Sequence, residues 1–548
     1  MPKHPTHLTN SQASKWSARR LKHERTGALS IEFTVPTGEA NGTLATCRVG
    51  NEMTHSEILR ELRKYTGDLR GPTGAKRVEQ LLDQLPDRYG VLTDRPGWNG
   101  LAAGRPKVFI TPARTIGLAR RNFVWLPDGS IENLHIGMRK GDLESWNQAY
   151  GRFARASDYV AFSIMCGLSG PLLRFANLPE LPCFNLFGES SVGKTTAART
   201  AAAVFGNPKN LQHWGKTERA LEEAAAGAND LVLVLNAAER MSLSKKRDTL
   251  NFVVHQMVEG RSFTRTRAVD ATLPDLSWRT LILSTSNHPG QRMATDCGLS
   301  WAAQEIARFN DIAVPPAASG GIFNRDNAEG LIEELEDALD NFYGSPFRPW
   351  LLFLLRENPH ERVGQLIAEF ADAIEPRSNL EKRVARKFGL VYAAGTLAVE
   401  ADILAWPDKR PFNVVRRLFS RWRRQSTLPN REDALGEFKK LLELKGAVIK
   451  AASKVTVPDA SRFIGVKAIH KGKQVFGFSK QGLERSLGHE HASSVLSWLK
   501  GAGLIFGRSG SLEGIQLPIT FVIEGRRKAR PRLLLVDPLM LKAKLAER

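Results

Sequence analysis

The sequence predicts an α/β protein whose core is a parallel sheet covered by helices. Between residues 142 and 325, short apolar runs alternate with helical stretches, a pattern typical of parallel sheets. One of these runs leads into a glycine-rich turn that opens a helix. Around this core the sequence indicates an α+β N-terminal domain, a helical lid region and a small winged-helix-like C-terminal domain.

Composition excludes several classes of protein. The chain has 548 residues, of which 42% are hydrophobic, so it is not mainly disordered. Its 4 cysteines lie far apart, which argues against a disulfide scaffold and a zinc ribbon and fits a reducing compartment. The most apolar stretch, residues 159–173, is too short to span a bilayer and is expected to be a buried helix. We therefore expect a cytoplasmic protein without a membrane partner.

The net charge of +21 is concentrated at the two ends of the chain. Residues 1–26 carry a net charge of +5, and residues 411–548 carry 27 basic against 11 acidic residues. Basic segments attract phosphate backbones through counterion release, so DNA is the expected partner. The alternative is a basic surface that only keeps the protein in solution.

Two basic blocks stand out within the C-terminal end. GRRKARPR (525–532) contains the candidate DNA contacts Arg526, Arg527 and Lys528. RRLFSRWRR (416–424) contains Phe419 and Trp422, which could stack on bases or belong to the core of an amphipathic helix.

Changes of pattern divide the chain into expected domains. The parts are a basic flexible arm at 1–26, an α+β domain at 27–141, a core domain at 142–325, a helical lid region at 326–429, and a basic winged-helix-like domain at 430–548. The N-terminal strands are LSIEFTV, KVFIT and NFVWL, with one helix at 54–65. The core strands are PCFNLF, LVLVL, TLILS and DIAVP. Near the C-terminus, helices around KQGLERSLG and ASSVLSWLKGAGLI precede strands LPITFVI and RLLLV.

The motif with the clearest chemistry is GESSVGKT, residues 188–195. It fits the phosphate-binding loop pattern G-x-x-x-x-G-K-[ST], lies between an apolar strand and a helix, and predicts ATP with Mg²⁺ as ligands. Lys194 would reach the β and γ phosphates, and the Thr195 hydroxyl would ligate Mg²⁺. The residues expected to bind the nucleotide are Gly188, Glu189, Ser190, Ser191, Val192, Gly193, Lys194, Thr195 and Thr196.

The second acidic motif of such ATPases is degenerate here. The strand LVLVL ends in Asn236-Ala237, where an Asp-Glu pair is expected to hold Mg²⁺ and activate water. Asn236 could hydrogen-bond a metal-bound water, and Glu239 could replace the missing base if the loop curls back. Asp230 lies at the opposite end of the strand. Nucleotide binding is therefore well supported, while hydrolysis is in doubt.

Two further residues occupy places that ring ATPases use. Asn287 follows the strand TLILS, where a polar sensor residue lies between the loop and the attacking water. Arg308 precedes the strand DIAVP, where an arginine reaches the nucleotide of the neighbouring subunit. An ordinary strand end and a surface arginine are the alternatives. Arg383 and Arg386 lie where a lid arginine would lie, without a firm choice between them.

A basic segment separates the second and third core strands. In EGRSFTRTRAVDATLPD, Arg261, Arg265 and Arg267 alternate and would share one face of a β-ribbon. Such a hairpin could grip single-stranded DNA in a ring's channel. An exposed charged hairpin is the alternative.

Taken together, these residues resemble the family named domain of unknown function 927. The features are GESSVGKTT (188–196), Trp214 with Thr217, Asn229-Asp230, Trp278-Arg279 and AAG at 393–395. The family's members are helicase-like AAA+ proteins of phages, plasmids and genomic islands, similar to replicative helicases of cassette chromosomes. The resemblance implies ATP binding by Gly188, Gly193, Lys194 and Thr195, a trans role for Arg308, a hexameric ring, a DNA-binding C-terminal appendage and a primase partner.

These observations favour an ATP-dependent DNA helicase or translocase that replicates or mobilises a mobile genetic element. The alternative is a nucleotide-dependent DNA-binding scaffold without hydrolysis, which Asn236 and Ala237 favour. A P-loop kinase or small-molecule transferase would not need the basic C-terminal end.

Overall fold

The structure is a computed structural model that describes part of the chain. The described residues are 16–37, 44–66, 69, 72–100, 105–117, 120–125, 135–209, 211–241, 245–262, 276–299, 301–325, 328–426, 431–452, 454–457, 463–506, 514–523, 526–529 and 532–546. The chain divides into two compact units. The first comprises residues 1–289, 312–366 and 390–418, and the second comprises residues 290–311, 367–389 and 419–548.

Helices occur along the whole described chain. They are α1 (His55–Leu62), α2 (Pro72–Asp83), α3 (Leu143–Ala156), α4 (Asp158–Leu172), α5 (Lys194–Phe205), α6 (Glu218–Gly227), α7 (Lys246–Asn251), α8 (Gly290–Asp296), α9 (Ala303–Arg308), α10 (Ala328–Asn341), α11 (Phe347–Glu357), α12 (His360–Ala373), α13 (Asn379–Glu400), α14 (Arg410–Gln425), α15 (Arg431–Glu443), α16 (Lys480–Gly501) and α17 (Pro538–Ala546).

Strands lie in three regions of the chain. Those of the N-terminal region are β1 (Ser17–His23), β2 (Leu29–Pro36), β3 (Leu44–Gly50), β4 (Gly90–Thr93), β5 (Gly97–Asn99), β6 (Val108–Ile110), β7 (Thr115–Gly117) and β8 (Phe123–Trp125). Those of the core are β9 (Cys183–Phe187), β10 (Gln212–His213), β11 (Val232–Asn236), β12 (Leu281–Ser286) and β13 (Asn310–Ala313). Those of the C-terminal region are β14 (Val448–Lys450), β15 (Lys454–Val457), β16 (Gly465–His470), β17 (Lys473–Phe478), β18 (Ile515–Gln516), β19 (Thr520–Ile523), β20 (Arg526–Ala529) and β21 (Arg532–Val536).

The N-terminal region mixes strands and helices, as predicted. One sheet has the order β3-β2-β1-β4-β8, and a smaller sheet has the order β5-β6-β7. Helix α1 begins at Thr54, which forms a capping box with Glu57. Apolar residues of α1 pack with β2 and β3 in one hydrophobic cluster. The predicted strands and the helix at 54–65 are all present.

Strand β1 corrects the prediction of a flexible arm at 1–26. Ser17–His23 pairs antiparallel with β2 and parallel with β4. Leu21 is fully buried, and Arg19 forms an ion pair of 2.5 Å with buried Glu32. The basic residues of this segment hid its strand pattern in the sequence. In the sheet, Glu32 of the neighbouring strand neutralises part of their charge. Residues 1–15 lie outside the described part.

The core sheet has the order β10-β11-β12-β9-β13. Strands β10, β11, β12 and β9 run parallel to their neighbours. Helix α4 covers this sheet, and its residues from Tyr159 to Leu172 are all buried, which confirms the predicted buried helix. Gly170 allows the close approach, because a Cβ there would lie 2.4 Å from the Leu231 backbone.

Residues 328–425 form helices α10 to α14, which agrees with the predicted helical region. In the second unit, Phe419 and Trp422 are buried and contact Phe388 with ring centroids 5.3 and 6.3 Å apart. These aromatic side chains therefore belong to a hydrophobic core and do not form a surface for base stacking. Arg423 of the same basic block pairs with Glu381, whose side chain is 5% exposed.

The C-terminal region contains more strands than predicted. One sheet has the order β14-β16-β17-β21-β18, and a second has the order β15-β19-β20. The two predicted helices are both present, because the backbone of α16 is not helical at Gly488, which has a φ of 76° and a ψ of 160° and separates two helical segments. Strands β14 to β17 were missed because lysines interrupt their short apolar runs. The winged-helix-like description stays a prediction.

In the described part of the chain, no helix combines the length and apolar character needed to cross a membrane.

Candidate functional site

The loop between β9 and α5 has the conformation expected of an anion-binding turn. Ser191 and Gly193 have positive φ angles of 63° and 86°, which turn the backbone sharply before the helix begins. The start of α5 therefore presents backbone N–H groups and the positive end of the helix dipole at this loop. A Cβ at Gly193 would lie 2.8 Å from Ile322, so glycine is also required sterically.

Lys194 turns its ammonium group back over the loop. Its Nζ donates to the carbonyl oxygen of Gly188 at 2.8 Å, to that of Glu189, and to Oδ1 of Asn287 at 3.3 Å. The residue is only 8% exposed. Burial lowers the pKa of Lys194, while the carboxylates of Glu239 and Glu189 act in the opposite direction. The structure thus holds a desolvated cation at the mouth of the loop.

Asn236 connects the loop to the neighbouring strand ends. Its Oδ1 accepts hydrogen bonds from the hydroxyl of Thr195 at 2.9 Å and from the hydroxyl of Thr285 at 2.8 Å. The backbone N–H of Ala237 donates to Thr285 Oγ1 at 3.1 Å. Three oxygen-bearing side chains therefore meet where β11 and β12 end beside the first residues of α5.

Glu239 reaches this group because the chain reverses after β11. Ala237 has a φ of 57°, and residues 238–240 form one turn of 3₁₀ helix. An oxygen of the Glu239 carboxylate then accepts a hydrogen bond from the backbone N–H of Asn287. The loop does curl back, as the sequence interpretation required for Glu239. Glu239 itself is exposed.

A segment after β13 packs against the outer side of the loop. The N–H of Ile322 donates to the Val192 carbonyl oxygen at 3.0 Å, and the N–H of Ala317 donates to the Glu189 carboxylate at 3.2 Å. On α10, Glu336 accepts a hydrogen bond of 2.8 Å from the Thr196 hydroxyl. The Lys194 loop is therefore held by the segment after β13, and the helix that follows the loop is held by α10.

Asp230 lies at the amino end of β11, as the sequence indicated, and has a structural role. Its carboxylate is fully buried and accepts hydrogen bonds from Arg279 Nε at 2.5 Å and from the backbone N–H of Trp98 at 3.0 Å. Asn229 donates to the Pro96 carbonyl oxygen at 2.9 Å. These contacts attach the β5 region to the core.

Three other predicted arginines lie on helices of the second unit. Arg308 is the last residue of α9, directly before β13, and is half-buried. Arg383 and Arg386 lie on α13. These three belong to the second unit, whereas the loop belongs to the first.

The predicted DNA contacts are described only in part. Arg261 forms an antiparallel bridge with Ser277, so two chain segments pair at the base of the predicted ribbon. Arg265 and Arg267 lie outside the described residues. Arg526, Arg527 and Lys528 lie on β20, opposite Ile523, Val522 and Phe521 of β19, in that order.

Sequence reasoning missed Thr285 and Glu336 as members of the site. Thr285 lies two residues before Asn287, so its strand-end position was a usable signal. Glu336 is 140 residues from its partner Thr196, and nothing in the local pattern indicated that contact.

The residues present fit a nucleotide and Mg²⁺. A buried ammonium group, a glycine-containing turn and a helix N-terminus suit phosphate oxygens. The Thr195 hydroxyl and the Asn236 amide oxygen are hard oxygen donors of the kind that Mg²⁺ prefers. Among the described residues, no cluster of three or more His, Cys, Asp or Glu side chains suggests another metal site.

The fold and the site define a mixed α/β protein with a phosphate-loop motif. Residues 25–271 match the model of the family described as Domain of unknown function (DUF927). The predicted resemblance to this family is thereby confirmed over residues 25–271.

A solved structure supports the same fold. The structure titled SCCmec type IV Cch, active helicase, has a TM-score of 0.56 and 15% sequence identity, and the match covers 97% of this chain and 94% of that chain. At this identity the likeness concerns the fold alone. A second structure, NtrX from Brucella abortus in complex with ATP, has a TM-score of only 0.22 with 13% identity over 71% of this chain and 86% of that one. No curated protein matches the sequence.

Proposed function

We propose that the protein is an ATP-binding AAA+ DNA helicase or translocase that acts in the replication or mobilisation of a mobile genetic element. One observation carries the proposal: the Lys194 loop meets Asn236 and Asn287 at the carboxyl ends of adjoining parallel strands. Ligands of open α/β sheets bind at such an edge. The order β10-β11-β12-β9-β13 places the loop on the strand next to β12.

In this proposal the loop binds the triphosphate. Backbone N–H groups of residues 188–195 surround the phosphates, and Lys194 exchanges its carbonyl partners for phosphate oxygens. Thr195 and Asn236 would hold Mg²⁺, which when bound neutralises charge on the phosphate oxygens. Because Asn236 is neutral, this pair offers less charge to the cation than a strand-end aspartate would.

Glu239 is the proposed proton acceptor for the attacking water. Asn287 is suited to position it, since the Asn287 N–H contacts the Glu239 carboxylate and the Asn287 side chain contacts Lys194. The same residue therefore touches the proposed base and the phosphate-binding cation. Arg308 is proposed to act on the nucleotide of a neighbouring subunit in a ring, which we expect to be a hexamer.

DNA is the proposed partner because the basic residues are concentrated at the chain ends. Single-stranded DNA fits a motor whose basic ribbon around Arg261 lines a channel. We also propose a primase partner and a mobile element as the context, because the family resemblance implies them.

The test is ATP binding and turnover by the purified full-length oligomer with and without DNA. Wild type is expected to bind Mg·ATP and to hydrolyse it faster with DNA. Lys194→Ala should lose ATP binding by calorimetry, whereas Glu239→Gln should keep binding and lose turnover. Absence of ATP binding by folded wild type would overturn the proposal. Full activity of Glu239→Gln would remove Glu239 as the base.

The second candidate function is a DNA-binding scaffold that binds ATP without hydrolysing it. The observation that favours it is the neutral pair Asn236-Ala237 at the end of β11. Because Asn236 Oδ1 accepts only from two hydroxyls, aspartate can replace it without losing either hydrogen bond. If wild type binds ATP without turnover and the variant Asn236→Asp with Ala237→Glu hydrolyses it, the scaffold is the function. Turnover by wild type would exclude it.

A further inference from the structure

The hairpin formed by β16 and β17 has an unusual tip. Six residue pairs connect the strands, from Gly465 opposite Phe478 to His470 opposite Lys473. The connecting residues Lys471 and Gly472 both have positive φ angles, 47° and 76°. A two-residue turn of this kind favours Asn or Asp at its first position. The left-handed region is unfavourable for lysine, which suggests that its charge is needed there.

The tip of the hairpin, residues 467–474, and the residues beside it are strongly basic. Residues 463–480 contain four lysines and one histidine and no acidic residue. Lys467, Lys471 and Lys473 are exposed, and none of them forms an ion pair within the described part of the chain. Lys450 of β14 lies directly opposite Lys467 in the same sheet. Like charges placed opposite each other destabilise a sheet, so this pair is better explained by an anionic partner.

An apolar side chain lies among these cations. Ile469 is 77% exposed, although a β-branched residue in a strand usually packs against neighbours. It shares a face with Lys467 because residues two apart on a strand point to the same side. Its cross-strand neighbour is the polar Gln474. A projecting apolar residue flanked by lysines is the arrangement with which DNA-binding proteins press a side chain between base steps.

We propose that this tip, residues 467–474, is a DNA-contacting wedge. Its lysines bind phosphates on both sides, and Ile469 packs against the bases at a junction between duplex and single strand. The inference deepens the proposed function, because it adds a surface for the same partner, DNA. A polyanion is favoured over a protein partner because the lysines outnumber the single exposed apolar side chain and no acidic residue accompanies them.

The experiment measures binding of a labelled forked DNA by full-length protein without nucleotide, over a range of salt concentrations. The variant Lys467→Gln, Lys471→Gln, Lys473→Gln should lower the slope of log affinity against log salt by roughly 2 to 3, since each lost phosphate contact removes about 0.9. The matched control is Lys439→Gln, Lys445→Gln, Lys542→Gln, which removes the same charge from exposed lysines elsewhere in the second unit. The control should change the slope by less than roughly half as much.

Ile469→Ser tests the wedge separately. It should weaken binding of the forked DNA on the order of fivefold while leaving the salt slope unchanged, because only apolar contact is lost. The proposal is overturned by equal slopes for the tip variant and its control, or by wild type that binds no DNA. A smaller oligomer for Ile469→Ser with unchanged DNA affinity would instead make the tip a protein contact. Calorimetry with Mg·ATP on the same samples tests the motor independently, so its failure leaves the DNA result readable.

Discussion

At the scale of single residues, the site depends on side chains held away from their ordinary environment. Lys194 is a cation buried against backbone carbonyl oxygens. Asp230 is an anion fully buried at the opposite end of the sheet, where it is paired with Arg279. The Lys194 ammonium group is surrounded mainly by neutral carbonyl acceptors, so its charge suits a phosphate ligand. The Asp230 carboxylate is neutralised by Arg279, so this ion pair suits a role in stabilising the fold.

Removal of the Lys194 charge should change how stability depends on pH. Burial lowers the pKa of folded Lys194, so holding this side chain charged in the folded protein costs stability. The folded protein loses that proton as pH rises through the lowered pKa, while the unfolded chain keeps it, so the free energy of unfolding increases. Wild type should therefore gain stability relative to Lys194→Met between neutral and alkaline pH, without nucleotide. Urea unfolding of both proteins at several pH values measures this. A constant difference would contradict the lowered pKa.

Removal of the Asp230 carboxylate should destabilise the first unit. Asp230→Ala leaves Arg279 and the Trp98 N–H without their acceptor, and we expect a loss of about 3 kcal/mol in the free energy of unfolding. The control is Glu357→Ala, which breaks the exposed pair with Arg356 and should cost less than about 0.5 kcal/mol. Denaturant titration followed by tryptophan fluorescence compares the two. Equal effects would show that Asp230 is not a stabilising contact.

At the scale of elements, helix α4 packs closely against the core sheet and against α5. Gly167 and Gly170 of α4 face α5 and the Leu231 backbone, respectively, at distances that a methyl group would violate. Helix α4 thereby touches both the helix that follows the loop and strand β11. Displacement of α4 would move Thr195 relative to Asn236.

A methyl group at Gly170 should therefore disrupt packing. Gly170→Ala would bring its Cβ to 2.4 Å from the Leu231 backbone, and we expect a destabilisation of about 2 kcal/mol. The matched control is Gly364→Ala on α12, where nothing lies within 4 Å of the added Cβ. Because alanine has a higher helix propensity than glycine, this variant should be more stable by about 1 kcal/mol. Thermal unfolding measures both variants. A neutral Gly170→Ala would mean that the helix can shift freely.

At the scale of the whole molecule, the basic residues divide into those that form ion pairs with described carboxylates and those that do not. In the first unit Arg417 binds Asp158 at 2.5 Å, and in the second Arg423 binds Glu381. The basic block at 416–424 is therefore partly used for folding. The exposed lysines of the β16–β17 tip have no such partners in the described chain, so more of the charge available to DNA lies there.

The proposed ring predicts complementation between two inactive variants. Lys194→Ala disables its own loop but retains Arg308, and Arg308→Ala retains its loop. Mixed oligomers would contain interfaces with one intact loop and one intact arginine, so DNA-stimulated ATP turnover should partly return. The measurement is turnover of each variant alone and of the exchanged mixture. Inactive mixtures with proven subunit exchange would exclude a trans role for Arg308.

The sequence by itself determined the local chemistry of the core. The loop at 188–195, the strands around it and the buried helix at 159–173 were all predictable, because each is encoded by a continuous run with one periodicity or one motif. The same holds for the positions of Asn236, Asn287 and Arg308 at the ends of their elements.

Only the tertiary structure decided which of these ends meet and how the basic segments are used. The return of Glu239 to Asn287 depends on one left-handed residue, and the contact of Glu336 with Thr196 joins distant parts of the chain. Strand β1 and the β16–β17 hairpin were hidden because charged residues interrupt their apolar patterns. Pairing energy between strands comes from partners far away in the sequence, and a local pattern does not contain that information.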